Sequence, residues 1–138
     1  MGIEIIHVED WPAGEIMELY KAGGWWKEDY DPSGIAPLIK GSFDFVVAVE
    51  ESTGKAVGMG RTISDGVSDG YIQDLVVLED NRGQGIGSML AEELVRNGRR
   101  RGLVWIGLIA EKGSSKFYRR LGFRCFEGEP MLYFGEEP

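Results

Sequence analysis

The spacing of apolar positions changes character along the chain, and each change predicts an element. Residues 3–8, IEIIHV, are a β-rich run that predicts a first strand. From residue 10 the spacing widens. In DWPAGEIMELYKAGG, Ile16, Leu19 and Tyr20 fall on one helical face, with Asp10 placed to cap the helix and Pro12 in its first turn. YDPSGIAPLIK predicts a second, short helix behind a capping Asp31. Three runs rich in Val and Ile follow: SFDFVVAVE, KAVGMGRTI and GYIQDLVVL. The turn-formers ESTG and SDGVSDG separate them, which predicts an antiparallel meander.

Helical spacing returns at Ile86, Met89, Leu90 and Leu94. This helix runs out in RNGRRRG, where basic residues suit a C-terminus and Gly102 suits a left-handed residue beyond it; Gly98 is a weak point inside it. LVWIGLIA predicts a buried strand, SSKFYRRL a last helix, and FRCF and MLYF closing strands. The order β-α-α-β-β-β-α-β-α-β-β is that of a mixed α+β fold. The 138 residues suit one domain spanning 1–138.

Composition narrows the classes. No apolar run is long enough to cross a bilayer, and no secretion signal opens the chain, so no membrane partner is expected. Cys125 and His7 stand alone as Cys and His, which excludes an internal disulfide and a Cys/His zinc cluster; no metal is expected, and a cytoplasmic location is. The net charge of −8 argues against nucleic acid as a partner, because phosphate contacts supply most of that affinity. A homodimer stays open.

The candidate chemistry lies in DNRGQGIGSML, residues 80–90. A strand, a glycine-rich turn and a helix start make an anion site. The first helical N–H groups have no partners within the helix, and the macrodipole favours negative charge there. Glycines bring the backbone close to phosphate oxygens, and Arg82 adds a fork that matches them. The pattern is not a P-loop, which reads GxxxxGK. Nor is it a dinucleotide fingerprint, which needs glycine where Ser88 stands.

Arg82, Gly85 and Gly87, spaced Arg-x-x-Gly-x-Gly, resemble the pyrophosphate loop of the GNAT superfamily of acyl-CoA-dependent N-acyltransferases. YIQDLVVLEDNRGQGIG resembles that family's fourth strand running into its loop, and FYRRLGF at residues 117–123 its later helix-to-strand corner. The order of elements agrees along nearly the whole chain. The blocks VGMGR and YIQDLVV are most similar to small bacterial members.

The resemblance implies a mostly antiparallel sheet whose fourth and fifth strands splay apart around acetyl-CoA. It implies that Leu75, Val76 and Val77 pair with pantetheine through their backbones. Gly83, Gln84, Gly85, Ile86, Gly87 and Ser88 would hold the pyrophosphate beside Arg82, with Ser114 and Lys116 as further cofactor contacts. Tyr118 matches the general acid that protonates the departing thiolate. Tyr71 and Gln73 occupy the fourth-strand positions where members often carry a base, and alternation turns both towards the acceptor. Neither is a base at neutral pH. Asp74 points the other way unless a bulge turns it, and His7 is read as packing on the first strand, so the base stays unassigned. Many members carry Asn where Glu111 stands, and no contact carries over to it.

In GGWWKEDY, two tryptophans in a loop suggest a cover. Trp25, Trp26 and Tyr30 are read as lining a pocket for a small amine, with one tryptophan plugging the core. The implied activity is acetyl transfer from acetyl-CoA to a small-molecule primary amine by direct attack. The alternatives are a non-catalytic acyl-CoA sensor and a protein N-acetyltransferase.

Overall fold

The computed structural model describes residues 2–135. The chain divides into two compact units, the first ending at Leu108 and the second starting at Ile109. In the first unit β1 (Ile3–His7), β2 (Asp44–Glu50), β3 (Lys55–Ile63), β4 (Asp69–Val77) and β5 (Trp105–Gly107) form one sheet in sequential order. The first four strands pair antiparallel and β5 lies parallel to β4. A parallel neighbour needs a crossover, and α3 (Ile86–Arg100) supplies it. The α+β class and the meander stand as read.

The sheet is covered on both faces. Helices α1 (Ala13–Ala22) and α2 (Ile35–Gly41) bury Ile16, Leu19, Ile35 and Ile39 against Phe45, Val47, Met59 and Val76. On the other face α3 buries Ile86, Leu90 and Leu94. It settles closely because β3 presents glycines there. A Cβ on Gly58 would lie 3.0 Å from Leu90 Cδ1, and one on Gly60 3.1 Å from Leu94 Cδ1. Gly98, which looked like a weak point, has the same purpose: a Cβ there would come within 3.2 Å of Ile106 Cδ1.

A polar clamp also holds α3. His7 Nδ1 lies 2.7 Å from Asp44 Oδ1, and His7 Nε2 lies 2.7 Å from Glu93 Oε2. Asn97 Nδ2 donates to Asp44 Oδ2 at 2.8 Å, Arg100 donates to Asn97, and Arg96 pairs with Glu93. Two carboxylates on one imidazole require a proton on each nitrogen. Burial works against that charge, but the hydrogen bonds and charges of Asp44 and Glu93 outweigh it and raise the His7 pKa. The reading of His7 as a packing residue therefore gives way to a charged link between β1, β2 and α3.

Several boundaries differ from those the pattern predicts. Asp10 does not cap α1; Pro12 occupies the cap position with no side-chain hydrogen bond, and the helix begins at Ala13. Glu15 in the first turn instead accepts from Trp11 Nε1 and from the Ala56 N–H of β3, each at 2.9 Å. Asp31 does cap, accepting from the Ser33 N–H ahead of the 3-10 turn Pro32–Gly34. Gly102 is left-handed as read, at φ +102°. The fifth strand is shorter than LVWIGLIA, because only Trp105–Gly107 has a ladder partner.

The second unit carries α4 (Ser115–Arg120). FRCF and MLYF have the composition of strands, yet no ladder forms among the described residues of this unit. A strand exists through its partner, and composition supplies none.

Candidate active site

The site is built where β4 loses a neighbour. The β4–β5 ladder runs Asp69↔Trp105, Gly70↔Ile106, Tyr71↔Gly107 and stops. From Ile72 onward, among the described residues, β4 is paired with β3 alone. At the same place its backbone bulges. Met59 faces Val76 and Arg61 faces Gln73, so Gly60 stands against two residues, Asp74 and Leu75. Asp74 takes up the extra length at φ +61°, the one non-glycine positive φ among the described residues. Asp and Asn are the side chains that tolerate this conformation best.

The bulge turns Asp74 onto the α1 face, which simple alternation denied it. Its Oδ2 accepts from Tyr20 Oη of α1 at 2.8 Å and from Arg61 Nε of β3 at 2.7 Å. Arg61 Nη1 also reaches Ser42 Oγ at 3.4 Å. The Asp74 side chain keeps 19% of its surface exposed. Burial, then the Asp74 charge, pushes the Tyr20 pKa well above that of a free phenol, so Tyr20 is a fixed donor. Tyr71 and Gln73 lie opposite Ile63 and Arg61 in the ladder and share this face, both exposed.

Beyond the bulge, Leu75 packs towards α3 and Val76 into the α1 core. The Leu78 N–H bonds Val57 of β3 at 2.9 Å. By alternation the backbone of Val77 then faces the opposite edge, which β5 has left. Arg82 Nε donates to the Val77 carbonyl at 2.9 Å and ties the following loop to that edge. Gly83 and Gly85 are both left-handed, at φ +78° and +83°, and a Cβ on either would meet nothing within 4 Å. Gly85 caps α3 with no side-chain hydrogen bond, and the first turn carries no acidic residue. Gly87 and Ser88 stand in that first turn, Gln84 is exposed, and the Ile86 side chain is buried, leaving its backbone to the site. An uncapped helix start beside an open loop suits an anion.

The model for the acetyltransferase (GNAT) domain matches residues 41–125, more than half of the sequence. The chain belongs to this GNAT acetyltransferase family. It is 29% identical over 109 residues to the uncharacterized N-acetyltransferase ycf52 of Porphyra purpurea, covering 79% of this chain and 63% of that protein. It is 30% identical over 120 residues to GCN5-related N-acetyltransferase 2, chloroplastic, of Arabidopsis thaliana, covering 83% of this chain and 45% of the relative. The GNAT family protein SP0256 of Streptococcus pneumoniae TIGR4 superposes with a TM-score of 0.80 at 27% identity, over 99% of this chain and all of that one. The chain thus spans less than two thirds of the length of these two sequence relatives.

In this GNAT chain the aromatic loop after α1 is held by a helix terminus. The Trp25 N–H bonds the Tyr20 carbonyl and the Gly24 N–H bonds that of Lys21, with Gly24 at φ +79°, a Schellman ending. Tyr20 then meets Trp25 edge-on at 6.2 Å, Trp26 lies 6.5 Å from Tyr20, and Tyr30 meets Trp26 at 87° and 5.5 Å. Both tryptophans pack partly against the core, so the division into one plug and one pocket residue gives way to two half-buried rings. Through Tyr20 the cluster touches the Asp74 carboxylate.

In the second unit Tyr118 is half-buried between Phe117, at 4.9 Å, and Phe123, at 5.7 Å, both edge-on. Burial first, then the charge of Glu111, raises its pKa. Ser114 Oγ donates to the Glu111 carbonyl at 2.7 Å, and Lys116 is exposed. Arg61 and Tyr20 were not among the expected site residues, and Asp74 was expected to face away unless a bulge turned it, which the bulge does. The one signal for them was local: an Asp in mid-strand, where β propensity disfavours it.

Proposed function

We propose that the protein transfers an acetyl group from acetyl-CoA to the primary amine of a small molecule by direct attack. The observation that carries this reading is the junction of a bulged β4, unpaired on its β5 side beyond Tyr71, with the uncapped, glycine-led start of α3. The residues present suit acetyl-CoA. Gly83 and Gly85 leave room for phosphate oxygens, Arg82 keeps its terminal guanidinium N–H groups beyond the Nε bond to Val77, and the first N–H groups of α3 add donors.

Acetyl-CoA supplies the activated acyl group and a thiol leaving group. The chain's own groups do the rest. The β4 edge that β5 leaves offers fixed N–H donors to the acyl carbonyl oxygen, where negative charge develops, without reorganisation. Asp74, held by Arg61 and Tyr20, is the anion on the acceptor face. It attracts the ammonium form of the amine and orients it; water takes one N–H proton, the freed lone pair bonds the acyl carbon as the C–S bond breaks, and the second N–H proton leaves to water, which restores the proton that Tyr118 gives the thiolate. Tyr118 is the acid for the thiolate, as its family position implies. Trp25, Trp26 and Tyr30 bound the acceptor from the α1 side.

Release of free thiol from acetyl-CoA, followed over a panel of primary amines, tests this reading. Amine-dependent release with one acetylated amine per thiol supports it. Binding of acetyl-CoA without release over the whole panel would replace it with the acyl-CoA sensor. Tyr118→Phe should keep the acetyl-CoA affinity and lower turnover by roughly ten- to a thousand-fold; unchanged turnover would remove Tyr118 from the chemistry.

A further inference from the structure

On the same sheet face as Asp74, where the β4–β5 ladder ends, stands a ring with no role in the proposed chemistry. Trp105 is the first residue of β5, and Tyr71 is the last residue of β4 that still pairs with that strand. Their rings meet at 61° with centroids 5.4 Å apart. Trp105 is 37% exposed and Tyr71 43%, with Ile63, Tyr71's ladder partner, 41%. The indole position is built in. A Cβ on Gly107 would lie 2.7 Å from indole Cζ3, so glycine at 107 lets the indole lie along the strand. Half-exposed rings clustered at the β4–β5 edge of the sheet mark a contact surface.

The face continues in one direction. Gln73 and then Asp74 follow Tyr71 along β4, roughly 7 and 10 Å further on at the strand rise of about 3.3 Å per residue. An apolar corner therefore stands one short linker from the carboxylate. We infer that Trp105 and Tyr71 form the wall that selects an acceptor whose primary amine is joined to a planar ring by a short aliphatic chain. The ring takes the Trp105–Tyr71 corner by edge and face contacts, and the amine reaches along β4 towards Asp74. This rests on the acetyl-transfer reading and narrows its substrate class.

The test compares 2-phenylethylamine with n-butylamine, two primary amines that differ in the ring. Wild type should show a Michaelis constant about tenfold lower for 2-phenylethylamine, the affinity equivalent of one aromatic contact. Trp105→Ala should raise that constant by about tenfold and the n-butylamine constant far less. Gly107→Ala, which pushes the indole aside, should act in the same direction, and Trp105→Phe should restore part of the difference. Calorimetric binding of 2-phenylethylamine in the presence of CoA reads the wall without turnover. Binding that Trp105→Ala weakens, with no thiol release, keeps the wall and overturns acetyl transfer. Turnover of both amines with no preference and no Trp105 effect keeps transfer and overturns the wall. Neither binding nor turnover overturns both.

Discussion

Two aspartates in this molecule make nearly the same bonds on very different backbones. Asp44 and Asp74 each accept from two side chains, one of them a cation. Asp44 stands at the start of β2 in regular strand pairing, almost fully buried, and joins β1 to α3. Asp74 stands at φ +61° in a bulge, partly exposed, on a strand whose neighbour has just left it. A positive φ off glycine costs of order 1 kcal/mol or more, and a fold keeps such a residue where the surroundings fix it. Arg61 and Tyr20 fix it here. The contrast separates a carboxylate that holds the sheet to a helix from one that the backbone was bent to present.

Substitutions at the two positions should therefore split between rate and stability. Asp74→Asn keeps an acceptor oxygen and a side chain at ease with positive φ. Its stability should fall by about 1–2 kcal/mol as the Arg61 ion pair loses its charge, while kcat/KM for the amine falls about a hundredfold. Paired melting and steady-state measurements decide it; a variant that loses stability and keeps its rate would make Asp74 another structural clamp. Asp44→Ala should do the reverse. It strips the acceptor from Asn97 and from one side of His7 and should cost about 2 kcal/mol in chemical denaturation, with kcat/KM of the folded enzyme unchanged.

The smallest effect is a pH dependence confined to the Asp44 side. The His7 pKa is raised on folding, so its stabilisation is whole below about pH 6.5 and fades as pH rises through the higher folded-state value. Facing it are Asp44 from β2 and Glu93 from α3, with Arg96 and Asn97 behind them. Melting curves from pH 6 upward should show a decline that His7→Gln flattens. An equal decline in both proteins would take His7 out of the clamp.

The same contrast explains what the sequence disclosed. The Arg82–Gly83–Gly85 loop was legible because its chemistry is local: glycines adopt positive φ, and a helix start exposes N–H groups. The meander was legible from alternation, and Asp31 from a capping bond two residues long. Asp74 was not. Its direction depends on a register slip against β3; alternation turns it away, and a bulge that reverses it could be named only as a condition, because the slip is set by the partner strand. His7 was missed because its partners lie 37 and 86 residues away. FRCF and MLYF were over-read, since composition supplies strand character and no partner. Asp10 was over-read as a cap because Pro12 itself took the position.

Whether the β4 edge and the α3 start hold acetyl-CoA is decided by a ligand-dependent melting series. Wild type should gain stability as acetyl-CoA is added, by about 2.7 kcal/mol at a hundred times the dissociation constant. Gly85→Val places a β-branched residue at φ +83° and should cost about 1–2 kcal/mol at baseline, keep a cooperative transition and lose the ligand-dependent gain. No gain in wild type at millimolar acetyl-CoA, or an equal gain in Gly85→Val, would mean that this loop does not hold the cofactor.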